Sequence, residues 1–288
     1  MCGGLWRGNN YHESKFLHLV ISHCKTPLSW LEDFVKDHYI ASIHIITKCG
    51  EDVLGAPSMA TIEALPNVGR CDHTYAYYIA NVLPNLVEDG TEADSVVVFL
   101  KDDISQSNIH QQGKLDTFDD MVRAASSDNG FACGILPDYV EVNQDQYDIS
   151  AYHEVDTLRE FSLKHYSRNK KHYSVDETEF ASKYHNMADW WNALNLSLPN
   201  KLVQVCYGGV FAASVSNIFN QDIATWKLME QSLSRGNNIL EGHFAERTWA
   251  ALLATPLKPF QVDALLQKAD GVYANENAVH GALLAKVK

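Results

Sequence analysis

A short apolar segment that ends abruptly in charge is where this sequence first suggests chemistry. Residues 95–100 read Ser-Val-Val-Val-Phe-Leu, and Lys101, Asp102 and Asp103 follow directly. A run of this length, rich in β-branched residues, predicts a strand buried on both faces of a parallel sheet. Ligands of open α/β sheets bind beyond the carboxyl ends of such strands, where carboxylates commonly hold a divalent cation and, through it, a phosphate. An ordinary polar turn has the same composition, so both interpretations stay open.

A second stretch combines a turn with the start of a helix. Pro66 and Gly69 predict the turn, and Asp72 is a suitable N-cap for the helix that follows. Arg70 and His73, close to this helix N-terminus, would suit an anionic ligand. The alternative is a surface cation and an exposed histidine in the first helical turn.

Two later stretches have the residue types of a catalytic site. Gly208 and Gly209 lie between apolar runs and mark either a tight turn with close approach of a ligand or a simple hairpin. Further on, a helix predicted by apolar spacing would place His243 on one face with Glu246 and Arg247. A glutamate beside an arginine and a histidine is a candidate general base, because its neighbours can tune its proton affinity. A helical salt bridge without function is the alternative.

The elements that must position these residues follow a strand–helix–strand order. Residues 16–21 predict the first strand, a helix follows, and residues 43–46 predict the second strand. This unit builds parallel sheets, so the predicted fold is α/β, with a mostly parallel central sheet flanked by helices. Residues 138–200 are polar and weakly periodic, and we interpret them as an insertion or lid. Their Trp190 and Trp191 are more typical of core packing than of a platform for a sugar ring.

Composition and charge exclude several classes of protein. The 288-residue chain is 46% hydrophobic and 20% charged, as in ordinary globular proteins, and its net charge of −13 argues against nucleic acid as a partner. Because no apolar stretch approaches the ~20 residues of a membrane helix, no transmembrane segment is predicted. P-loop, dinucleotide-binding, serine-hydrolase and zinc-protease motifs are absent. The six scattered cysteines predict free thiols in a reducing compartment.

Five segments, taken together and in order, resemble a glycosyltransferase-like family of fungi and bacteria described as a "domain of unknown function". They are a Leu-Val-Ile-Ser strand with a Trp-Leu helix, Asn67-Val68-Gly69-Arg70 with His73 and Tyr75, Phe99-Leu100-Lys101-Asp102-Asp103, Gly209-Val210-Phe211-Ala212-Ala213-Ser214, and Glu246-Arg247-Thr248-Trp249. The similarity runs from about residue 16 to 255. It implies the Rossmann-like nucleotide-diphospho-sugar transferase fold, called GT-A. It also implies transfer of a sugar from a nucleotide-sugar donor to a hydroxyl acceptor on a glycan, lipid or small molecule.

The resemblance also implies a metal site, from which this chain departs. GT-A enzymes usually end a central strand with Asp-x-Asp, which binds a Mn²⁺ or Mg²⁺ that bridges the donor diphosphate. Asp103 stands at the last of these positions and is the implied metal ligand, whereas Lys101 stands at the first. Alternate residues of an extended strand point the same way, so Lys101 would reduce affinity for a divalent cation yet could itself neutralise a diphosphate. The family often has an acidic residue where this chain has Cys71.

The remaining roles carried over by the resemblance are as follows. The implied donor-binding residues are Asn67, Gly69, Arg70, Lys101, Asp102, Gly208, Gly209 and Arg247, and the glycine pair would also face the acceptor. Glu246 is the implied base for the acceptor hydroxyl, with His243 as a second candidate. The implied organisation is one domain over residues 1–288, consisting of a nucleotide-sugar-binding half (about 16–136), the insertion (about 138–200), an acceptor-side half (about 201–255) and a helical tail (256–288).

Two other classes of protein compete with this interpretation. A non-catalytic carbohydrate- or nucleotide-binding protein on the same fold is supported by the incomplete Asp-x-Asp. A Cys/His hydrolase using Cys71 or Cys206 is weaker, because neither cysteine has a visible activating arrangement. The sequence indicates a cytoplasmic protein or, alternatively, the soluble lumenal part of a longer secretory-pathway protein.

Overall fold

The computed structural model describes residues 16–88, 95–103, 117–134, 152–163, 180–199 and 201–274. The strands are β1 (Leu17–His23), β2 (Ile40–Thr47), β3 (Ala60–Ala64), β4 (Val96–Lys101), β5 (Phe131–Cys133), β6 (Tyr152–Glu154), β7 (Leu202–Gln204) and β8 (Phe211–Ser214). Six of them form one sheet in the order β3-β2-β1-β4-β8-β5, and β6 pairs with β7 in a second, two-stranded sheet. In the larger sheet β8 runs antiparallel to both of its neighbours, β4 and β5, and the pairs among β1, β2, β3 and β4 are parallel. The prediction of an α/β fold with a mostly parallel sheet flanked by helices is confirmed.

The helices complete the layers around this sheet. They are α1 (Trp30–Asp37), α2 (Arg70–Tyr77), a π-helical segment (Tyr78–Val82), α3 (Leu83–Glu88), α4 (Thr117–Ala125), α5 (Val155–Arg159), α6 (Met187–Ala193), α7 (Val215–Ile218), α8 (Ile223–Leu233), α9 (Leu240–Glu246), α10 (Trp249–Leu253) and α11 (Pro259–Ala274). Among the described residues, no helix is both long enough and apolar enough to cross a membrane.

Each face of the sheet buries a different set of side chains, because successive residues of a strand point to opposite faces. Val97 and Phe99 pack with the helices from α2 onward, whereas Val98 and Leu100 pack on the side of α1 and α4. All of residues 96–100 are fully buried, so the prediction of a strand buried on both faces is confirmed.

The described parts of the predicted insertion contribute to the first of these cores. Trp190 and Trp191 of α6 are buried there together with residues of α5. The interpretation of the two indoles as core packing is therefore confirmed. Residues 138–151 and 164–179 of the predicted insertion lie outside the described residues.

Two details of the predicted helices are wrong. Asp72 is not an N-cap, because the helix begins at Arg70 after Gly69 and encloses Asp72 in its first turn. The single helix expected around residues 243–253 is two helices, α9 and α10, with Arg247 capping the end of the first.

The prediction of free thiols is wrong for four of the cysteines. Cys24 pairs with Cys49 and Cys133 with Cys206, with Cα separations of 4.8 and 5.4 Å that are typical of disulfides. Cys24 and Cys49 follow β1 and β2, which are neighbouring parallel strands and so end at the same edge of the sheet. Cys71 is the free cysteine among the described residues.

Four histidines that lose water on folding should make stability strongly dependent on pH. Chiefly through burial, the pKa values of His18, His73, His153 and His243 fall from 6.5 to about 4. The folded state therefore favours the neutral rings. Their contribution to the free energy of unfolding is complete above pH 6.5. It is lost as pH falls toward 4, at up to about 1.4 kcal/mol per pH unit for each ring. Burial of Asp72 raises its pKa to about 6, so its contribution to the free energy of unfolding is instead lost as pH rises through 6. This opposite pH dependence cancels about that of one histidine.

We therefore expect the free energy of unfolding in urea to be lower at pH 5 than at pH 7.5 by roughly 3 kcal/mol or more. A His18→Gln variant, which can keep the contact with Ser42 Oγ now made by Nδ1 at 2.8 Å, should lose part of this pH dependence. Equal unfolding free energies at the two pH values would contradict the assignment of neutral buried rings.

Candidate functional site

The end of β4 lies at the point where the order of the sheet reverses. The chain runs from β1 outward through β2 to β3, then returns to place β4 on the other side of β1. In open α/β sheets such a reversal opens a crevice beyond the carboxyl ends of the two central strands. Lys101, the last residue of β4, pairs in register with Ser22 of β1. The charged residues after β4 therefore lie at the mouth expected of a ligand site.

Asp102 joins the two loops that border this crevice. Its Oδ2 accepts backbone N–H bonds from Cys24, Lys25 and Thr26 at 2.8–2.9 Å, and Trp30 Nε1 donates to its carbonyl at 3.3 Å. Burial alone would raise the pKa of Asp102, but the three backbone hydrogen bonds outweigh it and lower the pKa. The carboxylate of Asp102 therefore holds the loop after β1 against the end of β4.

Lys101 and Asp103 point to the same side, as the period of a strand predicts. Lys101 Nζ lies 3.8 Å from Asp103 Oδ1, and both side chains are partly exposed. Since Asp102 is directed at backbone amides, the site offers one carboxylate with an ammonium beside it. Among the described residues, no group of three His, Cys, Asp or Glu side chains is arranged to hold a metal ion. This donor set fits a divalent cation poorly and fits a phosphate better.

The turn before α2 has an uncommon backbone conformation. Gly69 and Arg70 have φ values of 57° and 51°, which lie in the left-handed region. A Cβ on Gly69 would come within 2.5 Å of Leu233 O, so only glycine fits there. Arg70 has a side chain in the same region, and such strained residues cluster at functional sites. Asn67 lies exposed in the preceding loop, and no described hydrogen bond joins it to the crevice.

The first turn of α2 brings a thiol and a carboxyl into the interior. Asp72 is 1% exposed, and its Oδ1 accepts a hydrogen bond from Trp249 Nε1 at 2.7 Å. Burial, with the negative charge of Asp72, raises the pKa of Cys71 to about 12. Cys71 is therefore a thiol at neutral pH, and Cys206 is in a disulfide, which together argue against a cysteine nucleophile.

The glycine pair is a tight turn that packs on α2. Gly208 and Gly209 have φ values of 84° and 69°, and a Cβ on Gly209 would lie 2.6 Å from Cys71 Sγ. Tyr75 donates its hydroxyl hydrogen bond to Gly209 O at 2.7 Å. Because β7 and β8, on either side of the pair, belong to different sheets, the alternative of a simple hairpin is wrong.

The end of α9 reaches the same glycine turn. Gly208 N–H donates to Glu246 Oε1 at 3.0 Å, and Arg247 Nη1 lies 3.4 Å from Glu246 Oε2. The Arg247 guanidinium lies over the rings of Phe161 and Tyr207, at 4.1 and 5.3 Å from their centroids. Each oxygen of Glu246 therefore already contacts a donor.

Charged residues from separate stretches lie close enough to Cys71 and His243 to act on their pKa values. Arg70, Lys101 and Glu246 all influence the pKa of Cys71. Burial lowers the pKa of His243 to about 4, with Arg70 and Arg247 acting in the same direction and Glu246 opposing them. The predicted residues that lie around the contact of α2 with the glycine turn are Arg70, Lys101, His243, Glu246 and Arg247. Asp102 is instead directed at the loop after β1, and Asn67 is exposed.

Three residues of this site were given no role from the sequence. They are Lys48, Tyr75 and Trp249. Lys48 directly follows β2, and it lies at the edge of the sheet where β1 and β4 also end. A rule that collects polar residues after every predicted parallel strand would have found Lys48. Tyr75 and Trp249 contribute through tertiary hydrogen bonds, for which the sequence contains no signal.

The fold and this cluster define an α/β protein with a polar site beyond the carboxyl ends of its central strands. The chain matches no protein-family model. No curated protein and no solved structure matches it either. The resemblance described from the sequence therefore stays a prediction.

Proposed function

We propose that this chain is a glycosyltransferase-like enzyme with a GT-A-like fold, transferring a hexose or similar sugar from a nucleotide-sugar donor to a hydroxyl acceptor. The observation that carries the proposal is that two cations, a carboxylate and the glycine turn all lie near Cys71, since a Cβ on Gly209 would lie 2.6 Å from Cys71 Sγ and the three charges act on that thiol. Arg70 and Lys101 approach from α2 and β4, and Glu246 approaches from α9. Arg70 and Lys101 are charges of the minority sign in a chain whose net charge is −13, and a guanidinium and an ammonium that lie close together suit an anionic ligand.

In the proposed reaction the acceptor oxygen bonds to the anomeric carbon of the sugar as the bond from that carbon to the diphosphate oxygen breaks. Lys101 and Arg70 stabilise the negative charge that develops on the leaving diphosphate, since guanidinium and ammonium groups bind phosphate oxygens strongly. Glu246 accepts the proton of the acceptor hydroxyl. His243 is the second candidate base, because its lowered pKa keeps the ring unprotonated at neutral pH.

The same proposal assigns to Lys101 the neutralisation that a metal ion gives in Asp-x-Asp enzymes. The Lys101 ammonium lies beside Asp103, so a divalent cation bound to that carboxylate would be repelled. Donor binding should therefore persist without Mn²⁺ or Mg²⁺. The metal role implied for Asp103 becomes, in this proposal, the orientation of Lys101.

The test is a thermal-shift screen of UDP-, GDP- and CMP-sugars, each with Mn²⁺ and with EDTA. One nucleotide class at 100 times its Kd should raise the melting temperature by about 5 °C, equally in both conditions, because binding to the folded state stabilises it by about 2.7 kcal/mol. Lys101→Met should abolish the shift, whereas Lys227→Met, an exposed lysine of α8, should not change it. A shift that requires Mn²⁺ would contradict the role of Lys101, and no shift with any nucleotide sugar would contradict the function.

A non-catalytic carbohydrate- or nucleotide-binding protein is the second candidate. It is favoured by the contacts of Glu246, whose Oε1 accepts from Gly208 N–H and whose Oε2 lies beside Arg247. A carboxylate held in this way can serve to fix the glycine turn rather than to accept a proton. Turnover in the Glu246→Gln variant separates the two candidates, as described in the Discussion.

The two disulfides support the secretory-pathway alternative for where the protein acts. Stable disulfides are rare in reducing compartments and common in secreted and lumenal proteins. The pair Cys24–Cys49 joins the segments after β1 and β2, and the pair Cys133–Cys206 joins the end of β5 to the segment after β7. We therefore place the proposed transfer reaction in an oxidising compartment.

A further inference from the structure

Lys48 is a buried lysine at the site edge of the sheet. It directly follows β2, and its side chain is 7% exposed. Its ammonium donates hydrogen bonds to the carbonyl oxygens of Val68 and Arg70. Among the described residues, no carboxylate oxygen lies within ion-pair distance of Lys48 Nζ. The hydrogen bonds described for this ammonium are therefore to main-chain oxygens.

Burying an ammonium group is costly unless it is well hydrogen-bonded. Burial lowers the pKa of Lys48 to about 8, although Cys71 and Asp72 act in the opposite direction, so the side chain remains charged at neutral pH. The two carbonyls that it binds enclose Gly69, and Arg70 has the left-handed conformation. Such a conformation in a residue with a side chain costs about 1–3 kcal/mol and persists only when its surroundings hold it.

The turn is held from a second direction as well. Gly69 N–H donates to Gly236 O at 2.7 Å, and His73 Nε2 lies 3.2 Å from Ser234 Oγ. These contacts fix the turn to the end of α8, whereas Lys48 fixes it to the sheet. Without Lys48, the carbonyl oxygens of Val68 and Arg70 would lose the hydrogen bonds that tie the turn to the end of β2.

The conformation of this turn determines where the Arg70 side chain lies. Arg70 Cδ is 3.9 Å from the position of a Cβ on Gly242 of α9, so its stem passes along that helix. Its charge acts on Asp72 of α2 and on His243 of α9. A change in the φ of Arg70 would therefore move the guanidinium away from α9 and from Asp72 and His243.

We propose that Lys48 is a positioning residue that locks the Val68–Arg70 turn so that the Arg70 guanidinium binds the anionic group of the ligand. This inference rests on the proposed function in one respect, namely that the anionic group is the diphosphate of a nucleotide sugar. Lys48 itself does not touch the ligand and acts through Arg70.

The test is a double-mutant cycle on the full chain, with inorganic pyrophosphate as the probe in calorimetry. Lys48→Met should weaken pyrophosphate binding at least tenfold, and Arg70→Ala should weaken it by at least as much. The double variant should bind no more weakly than Arg70→Ala, because two residues that act through one group are not additive. Lys227→Met controls for the loss of one positive charge and should bind as the wild type does.

The proposal would be overturned if the loss of pyrophosphate affinity in the double variant equalled the product of the two single losses. It would also be overturned if Lys48→Met bound pyrophosphate as tightly as the wild type. If Lys48→Met does not fold, Lys48→Gln, which keeps a neutral hydrogen-bond donor, replaces it. Lys48→Gln should bind pyrophosphate more weakly than the wild type, though by a smaller factor, and wild-type affinity in this variant would also overturn the proposal.

A readout without ligand separates this inference from the proposed function. The amides of Gly69 and His73 are hydrogen-bonded in the turn and should exchange with deuterium at least ten times faster in Lys48→Met, while amides of β1 keep their rates. If the wild type binds neither pyrophosphate nor any nucleotide sugar, the proposed function fails. The exchange rates then decide on Lys48 alone, and unchanged rates for those two amides overturn the positioning role.

Discussion

An Asp102→Ala variant is expected to unfold in urea with about 4 kcal/mol less free energy than the wild type. Asp102 Oδ2 accepts three backbone hydrogen bonds at 2.8–2.9 Å, and hydrogen bonds to a charged group contribute about 1.5–3 kcal/mol each. Alanine leaves all three N–H groups of the loop after β1 without their acceptor. The expected loss is smaller than the sum of the three hydrogen-bond contributions, because water reaches the part of the loop where Lys25 is exposed.

Asp102→Asn is the matched control. Its amide oxygen can accept the same hydrogen bonds without the charge, so the loss should be about 1–2 kcal/mol. The order wild type, Asn, Ala should appear in the urea midpoints with an unchanged m-value. A loss below 1 kcal/mol for Asp102→Ala would show that the carboxylate does not hold this loop and would return Asp102 to the donor-binding role that the resemblance implies.

A Glu246→Gln variant is expected to lose about 10²–10⁴-fold in turnover while its donor affinity changes less than threefold. General base catalysis typically contributes a factor of this size. Glutamine has nearly the same shape, and its Oε1 can still accept from Gly208 N–H, so the glycine turn should keep its place. The measurement is kcat for sugar transfer, or for hydrolysis of the donor, together with calorimetric Kd.

Glu230→Gln on α8 is the control for loss of one carboxylate, since Glu230 contacts Asn81 at a distance from the crevice. It should leave both constants unchanged. Full turnover in Glu246→Gln would remove Glu246 as the base and direct attention to His243. A wild type that binds a nucleotide sugar tightly and shows no turnover with any acceptor or with water would favour the non-catalytic binding protein.

The elements of the sheet could be predicted from the sequence because their signals are local. Continuous burial of residues 96–100 follows from their composition, and the shared side of Lys101 and Asp103 follows from the period of a strand. The disulfides could not be predicted, because Cys24 and Cys49 meet only once β1 and β2 are neighbours. Strand order depends on contacts distant in sequence, for which spacing gives no information.

The division of the predicted helix into α9 and α10 has a similar cause. Apolar spacing continues through Arg247 and Thr248, so the pattern predicts one helix. In the folded chain Thr248 Oγ1 donates to Phe244 O and accepts from Trp191 Nε1, and Trp249 Nε1 is directed at Asp72. The two hydrogen bonds donated by the indoles are tertiary and favour a break, and local propensity does not contain them.

The same distinction between local sequence signals and tertiary contacts applies to the candidate site. Gly209 and Arg70 could be selected by residue type, whereas the inward direction of Asp102 toward three amides depends on how two loops meet. The buried position of Lys48 likewise depends on the turn that packs over it. Residue types therefore indicated candidate groups, and the tertiary structure was needed to show that Asp102 is held by backbone amides and that Lys48 is buried under the turn.

The placement of the disulfides has a practical consequence for producing this protein. Cys49 is adjacent to Lys48, and Cys206 comes two residues before Gly208, so each bridge tethers one wall of the crevice. A chain synthesised in a reducing bacterial cytosol would keep these four cysteines as thiols. The segments that the two disulfides join would then lack their covalent restraint. Periplasmic or eukaryotic secretory expression is therefore the appropriate source of material, and a preparation whose denatured chains show no free thiol at Cys24, Cys49, Cys133 or Cys206 is correctly oxidised.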